Sequence, residues 1–273
     1  MIYKFNRPLL LTLLYFSLGT IKIHAQDSNT RGPGTPEFLE ANDSDWVDSV
    51  FSSLSRKEKI GQLFMVAAYS DRDQESYDKL AKLIEEQQVG GIVFFQGGPV
   101  RQSLLLNRYQ SLLKVPALVA MDAEWGVGMR LDSTVSFPYQ MTLGAVGNNE
   151  LIYKMGQQIA RDFKRLGMHV NFAPVVDINN NINNPVINYR SFGEDMFKVA
   201  DKGFAYMRGL QDEGIMATAK HFPGHGDTDV DSHLGLPTLS FTRNRLDSLE
   251  LYPFRYLIDR GISGVMVAHM HIP

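Results

Sequence analysis

The chain has 273 residues, 44% of them hydrophobic and 21% charged, with a formal net charge of -3. That balance excludes a disordered or fibrous protein and allows one large core. The Lys and Arg residues are dispersed, which leaves no basic stripe for nucleic acid, and without any cysteine there is neither a disulfide framework nor a terminal cysteine to acylate.

At the N-terminus, Lys4 and Arg7 precede an apolar run over 9–18, and Ile23, His24 and Ala25 finish on a small residue suited to cleavage. Residues 1–25 therefore read as a signal peptide. The alternative, a membrane anchor, needs about 20 apolar residues, and this run is shorter. The expectation is a secreted or periplasmic protein with no membrane association after cleavage. Residues 26–44 are rich in Asp, Asn, Ser, Gly and Pro and read as a linker, with the folded domain over 45–273.

From there, short apolar runs alternate with helical periodicity. Ser55 and Glu58 fit a capping box at a helix start. Strands are predicted over 63–68, 91–95, 117–121, 170–174, 216–219 and 264–268, nearly all continuously apolar, as strands covered on both faces must be. Between them, Ile152, Met155, Ile159, Phe163 and Leu166 form one helical stripe, and Met196, Ala200, Phe204, Met207 and Leu210 form another. Pro253 suits a first helical position.

Polar residues collect where the strands end, at Asp122, Asp177, Lys220 with His221, and His269. In a (β/α)8 barrel that rim carries the active site. The fold expected is α/β, a TIM-type barrel truncated after about six β/α units, because the predicted strands are two too few to close it. A doubly wound open sheet is the alternative.

The densest chemistry lies in Lys220-His221-Phe222-Pro223-Gly224-His225-Gly226-Asp227-Thr228, followed by Asp231-Ser232-His233. Pro223, Gly224 and Gly226 force a loop that can fold over the barrel mouth. Asp231 could accept a hydrogen bond from one nitrogen of His233, fixing its tautomer and raising its basicity for acid/base work. Loop His and Asp more often cap turns, but their density here favours chemistry. A metal-dependent hydrolase using His221, His225, His233, Asp227 and Asp231 is a second class, although the spacings fit no common zinc pattern. Asp177 precedes the Asn-rich run 179–184 and reads as turn-building. His169 and His271 read as non-catalytic, whereas His269 could approach a substrate.

This stretch resembles the signature of glycoside hydrolase family 3, in its bacterial β-N-acetylglucosaminidase branch. Two further segments agree: Met121-Asp122-Ala123-Glu124 through Arg130, and Asn188-Tyr189-Arg190-Ser191-Phe192-Gly193-Glu194-Asp195. The resemblance implies that His233 with Asp231 is the acid/base pair. It implies that Asp122, Arg130, Arg190, Lys220 and His221 hold the sugar, and it calls for no cofactor and no metal. The implied partner is a carbohydrate, an N-acetylglucosamine-containing glycan or cell-wall fragment, cleaved by a retaining mechanism. The family's nucleophile, an Asp in a segment resembling Ser-Asp-Asp-Leu, is expected beyond residue 273. Two variants are a phosphorylase with phosphate as acceptor, and a sugar-binding fragment without turnover. The family's Gln-Glu-Gly-Gly-Arg-Val is replaced here by a segment containing Trp125, which reads either as a stacking platform for a sugar or as rim packing.

Overall fold

A computed structural model describes residues 38, 44–230 and 235–273 of the chain. The predicted signal peptide, most of the linker, and both Asp231 and His233 lie outside the described residues. No helix among the described residues is long and apolar enough to cross a membrane.

Helix α1 (Asp45–Ser53) leads into α2 (Arg56–Gly61) through the expected capping box. Ser55 Oγ accepts the Glu58 N–H, and the Glu58 carboxylate accepts the Ser55 N–H at 2.8 Å, so two otherwise orphaned donors are satisfied. Then come β1 (Met65–Ala68), α3 (Gln74–Gln87), β2 (Gly91–Phe94), α4 (Pro99–Gln110) and β3 (Leu118–Met121). After a 3-10 turn at Val127–Met129 follow α5 (Gln140–Gly144), α6 (Asn149–Arg165) and β4 (Val170–Asn171). A second 3-10 turn, Asn188–Arg190, precedes α7 (Met196–Gln211), β5 (Met216–Phe222), α8 (Arg243–Ser248), α9 (Tyr252–Ile258) and β6 (Gly264–Val267).

The six strands are all parallel and lie in the order β1-β2-β3-β4-β5-β6. A doubly wound sheet reverses its strand order at a switch point. This one never does, so the alternative falls and the architecture is six consecutive units of a TIM-type α/β barrel. Pleat alternation splits the apolar residues between two cores. Ile92, Phe94, Val119 and Met121 pack with the α6 and α7 stripes, while Val93, Ala120 and Val170 form a small separate cluster with Phe95, Phe172 and Met216.

All six predicted strands are present, four of them shortened by one or two residues at an end. β4 is shorter still, because past Asn171 its pairing with β5 becomes irregular, the Thr218 N–H going to the Ala173 carbonyl and the Lys220 N–H to that of Pro174. β5 is longer than expected and runs through Lys220 and His221, with a register shift between Lys220 and Phe222. That bulge re-aims the site's two basic residues instead of ending the strand before them.

Candidate active site

Chain segments far apart in sequence meet at the C-terminal ends of β3, β4 and β5. Asp122 follows β3 directly, and Arg130 follows the 3-10 turn after it. The Asp122 carboxylate accepts from Arg130 Nη2 at 2.9 Å and, through its other oxygen, from Lys220 Nζ at 2.8 Å. Lys220 also lies 2.8 Å from Glu124 Oε1, so one ammonium joins two carboxylates. Glu124 in turn accepts a bidentate fork from Arg190, at 2.9 Å from Nε and 2.7 Å from Nη2. Arg190 Nη1 donates to the Val186 carbonyl, which fixes the guanidinium plane.

The far side of Arg190 meets an imidazole. Nη2 stands 3.4 Å from His221 Nε2, and His221 Nδ1 lies 2.7 Å from Asp177 Oδ2. Asp177 also accepts the backbone N–H groups of His221 and, at 2.7 Å, of His225. The result is one connected chain, Arg130–Asp122–Lys220–Glu124–Arg190–His221–Asp177.

Burial divides it in two. The side chains of Glu124 and Asp177 are 0% exposed and that of Lys220 is 2%, whereas Asp122, Arg130, Arg190 and His221 keep 16–18%. The second set can touch a ligand, and the first holds it in place. Lys220 has two of its three donors on carboxylates, so at most one remains for a ligand.

The electrostatics follow. Burial alone would raise the Glu124 carboxyl, but Lys220 and the Arg190 hydrogen bonds outweigh it and bring the pKa from its ordinary 4.5 down to about 2. Burial opposes the same outcome at Asp122, where Lys220 and Arg130 hold the pKa below the usual aspartate range. Asp177, also raised by burial, is brought below its ordinary value by His221 and the two backbone N–H donors. The His221 ring is pushed down by burial more than Asp177 lifts it. It is therefore neutral at pH 7, with Nδ1–H given to Asp177 and an unprotonated Nε2 towards Arg190.

All these groups have depressed folded pKa values, so each stabilises the fold above its unfolded pKa and loses that contribution as pH falls. We expect urea midpoints to decline below pH 6.5, where an unfolded histidine begins to bind protons. A second decline runs between pH 4.5 and about 2, the window of Glu124. Glu124→Gln removes its share of the second decline. A midpoint that is flat across both windows would contradict the assignment.

Of the seven residues singled out in the sequence, Asp122, Arg130, Arg190, Lys220 and His221 are brought together, while Asp231 and His233 lie outside the described residues. Two members of the cluster were not foreseen. Glu124 stands two places after Asp122, and the Asp-Ala-Glu alternation, which puts both acids on one side of an extended segment, was the available signal. Asp177 was read as turn-building and is instead the buried acceptor behind His221.

The turn-building belongs to its neighbours. Asn184 donates to the His225 carbonyl at 2.8 Å, and Asn181 donates to the Thr228 carbonyl. The first half of the glycine-containing loop is thereby fastened to residues 177–184. Gly226 serves close approach there, since an added Cβ would lie 1.8 Å from the Ile178 carbonyl. His225 is buried with its ring on Thr228 Oγ1 at 2.6 Å, and Asp227 turns towards Arg245 at 3.7 Å. Among the described residues no group of three His, Cys, Asp or Glu is placed to hold a metal ion. His269 is exposed and its side chain forms no hydrogen bond with the cluster, His169 accepts the Val119 N–H, and the His271 backbone pairs with Pro237 and Leu239.

A parallel α/β barrel sheet with a charged, hydrogen-bonded cluster at its C-terminal rim is the build of a barrel enzyme's active site. The sequence profile described as "Glycosyl hydrolase family 3 N terminal domain" matches residues 55–273. The chain belongs to glycosyl hydrolase family 3. It is 35% identical over 209 residues to Beta-hexosaminidase A of Pseudoalteromonas piscicida, covering 71% of this chain and 35% of that protein. The solved family 3 β-N-acetylglucosaminidase of Paenibacillus sp. str. FPU-7 superposes with a TM-score of 0.74 at 42% identity, over 81% of this chain and 43% of that one. A beta-glucoside phosphorylase, BglX, solved with 2FGlc, has a TM-score of 0.75 at 25% identity, over 81% of this chain and 39% of that chain. The chain thus spans less than half the length of each of these three.

Proposed function

We propose that the gene product carrying this chain is a retaining β-N-acetylglucosaminidase that releases terminal β-linked N-acetylglucosamine. The observation that carries the proposal is the convergence of Asp122, Arg130, Arg190, Lys220 and His221, the five residues to which the family resemblance gives the sugar, into one network at the rim. In this reading the partly open members donate to and accept from ring hydroxyls. Arg130 directs Nη2 to Asp122 and keeps part of its side chain exposed for such a contact.

His233, oriented by Asp231, gives its proton to the leaving oxygen and later takes one from water, while an aspartate on a strand beyond residue 273 is the nucleophile. Residues 1–25 serve export and 26–44 link to the domain at 45–273, so the substrate is a cell-wall fragment or similar glycan met outside the cytoplasm. The chain needs no cofactor in this mechanism.

Kinetics on the gene product with a β-N-acetylglucosaminide test the reading. Asp122→Asn is expected to raise KM about tenfold or more while leaving a covalent glycosyl-enzyme able to form, because Asp122 binds and does not attack. Trapping the sugar on Asp122 with a fluorinated substrate, or finding no release of N-acetylglucosamine, would overturn it.

A second reading has its support in the likeness to the beta-glucoside phosphorylase. An imidazole acid/base repels an incoming anion less than a carboxylate would, so phosphate could replace water as acceptor. Formation of the sugar 1-phosphate when phosphate is added separates the two.

A further inference from the structure

Next in the chain to the charged network at the rim, which the reading above makes a sugar anchor, lies a line of aromatic rings that take no part in that network. Trp125 and Tyr139 meet edge to face with centroids 4.8 Å apart, and Tyr139 meets Tyr189 at 4.7 Å with a 48° tilt. Tyr139 and Tyr189 are 45% and 49% exposed, so their ring contact leaves much of both rings open to solvent. Two of the rings adjoin the anchor in the chain itself, for Trp125 follows Glu124 and Tyr189 precedes Arg190. Neither tyrosine hydroxyl has a hydrogen-bond partner among the described residues.

The rings sit on fixed backbone. The Trp125 carbonyl accepts the Phe137 N–H at 2.8 Å, and Gly126, at φ 87°, turns the chain against the Phe137 ring where a Cβ would come within 2.8 Å. Tyr139 opens α5, whose next residue, Gln140, is buried and exchanges two hydrogen bonds with the Val175 backbone. Tyr189 lies within the 3-10 turn that Arg190 ties to Glu124. Rigid, half-exposed aromatic faces beside a hydrogen-bonding pocket suit a ring that is apolar on its face and polar at its edge. A pyranose is such a ring.

We propose that Trp125, Tyr139 and Tyr189 form a shelf for the second sugar unit of a glycan whose terminal unit occupies the anchor, an inference that rests on the carbohydrate reading above. The anchor fixes the terminal sugar by hydrogen bonds, and the shelf selects an oligosaccharide over a small leaving group by stacking.

Two measurements on the gene product test it. In kinetics, Trp125→Ala and Tyr189→Ala raise KM for the β-1,4-linked disaccharide of N-acetylglucosamine roughly tenfold, the effect of losing about 1.4 kcal/mol of binding. They change KM for N-acetylglucosaminyl fluoride, which has no second ring, less than about twofold. In fluorescence, Trp125 is read by difference, with the emission change on adding sugar compared between the unsubstituted gene product and its Trp125→Phe variant. The disaccharide alters the emission of the first and not the second, and the monosaccharide alters neither. A disaccharide KM and an emission change that both ignore these substitutions would overturn the shelf while hydrolysis of the fluoride leaves the catalytic reading standing. A Trp125-dependent change in a protein that hydrolyses no hexosaminide would keep the shelf and sink the catalytic reading.

Discussion

Replacing Glu124 with alanine lowers folding stability by about 3–5 kcal/mol, the usual consequence of removing one partner from a buried charge pair. The carboxylate is wholly inaccessible and holds both the Arg190 fork and the Lys220 ammonium, so its loss leaves two cations short of a counter-charge in a site from which water is largely excluded. Urea unfolding measures this, with Asp132→Ala as the comparison. The Asp132 pair with Arg101 is more than half exposed on both sides, and its removal should cost less than about 1 kcal/mol. If the proposed function holds, kcat/KM of the gene product falls as well, by about 100-fold, because Arg190 and Lys220 lose the group that aims them. A change in stability no larger than that of Asp132→Ala would show that the cluster is held by something else.

Asp177→Asn should be nearly as damaging to activity with less harm to the fold. The asparagine oxygen can still accept the His225 N–H, which leaves its amide nitrogen against His221 Nδ1, where a donor must now face an acceptor. The ring then carries its proton on Nε2, pointing at Arg190 Nη2, a donor against a donor at 3.4 Å. We expect kcat/KM to drop about 100-fold and stability by about 1–3 kcal/mol. The pH profile distinguishes this from general damage. Losing the carboxylate that lifts His221 lets burial depress its pKa further, so any acidic limb due to that ring moves to lower pH. An unchanged rate and profile would leave Asp177 a purely structural acid.

The strands were legible because covered parallel strands are continuously apolar, and the barrel class followed from polar residues gathering at one end of each. β5 was cut short in the sequence reading because hydropathy cannot show that a lysine stays in the ladder when a bulge brings its ammonium to two carboxylates. That Asp122, Arg130, Arg190, Lys220 and His221 belong together was suggested by their motifs. Their pairing was not, because Lys220 and Asp122 are separated by 98 positions and Arg190 and Glu124 by 66, and only the curl of the sheet sets such distances. Asp177 was hidden by its company: the asparagines beside it do build turns, and those turns fasten the loop whose backbone Asp177 receives.

Among the described residues the rim network sets three basic side chains, Arg130, Arg190 and Lys220, against three carboxylates, Asp122, Glu124 and Asp177. Within that network the formal charges cancel, so its own members offer little long-range attraction. For the neutral glycan proposed as substrate, encounter then gains little from these charges, and added salt, whose ions screen over about 8 Å at physiological strength, should change it little.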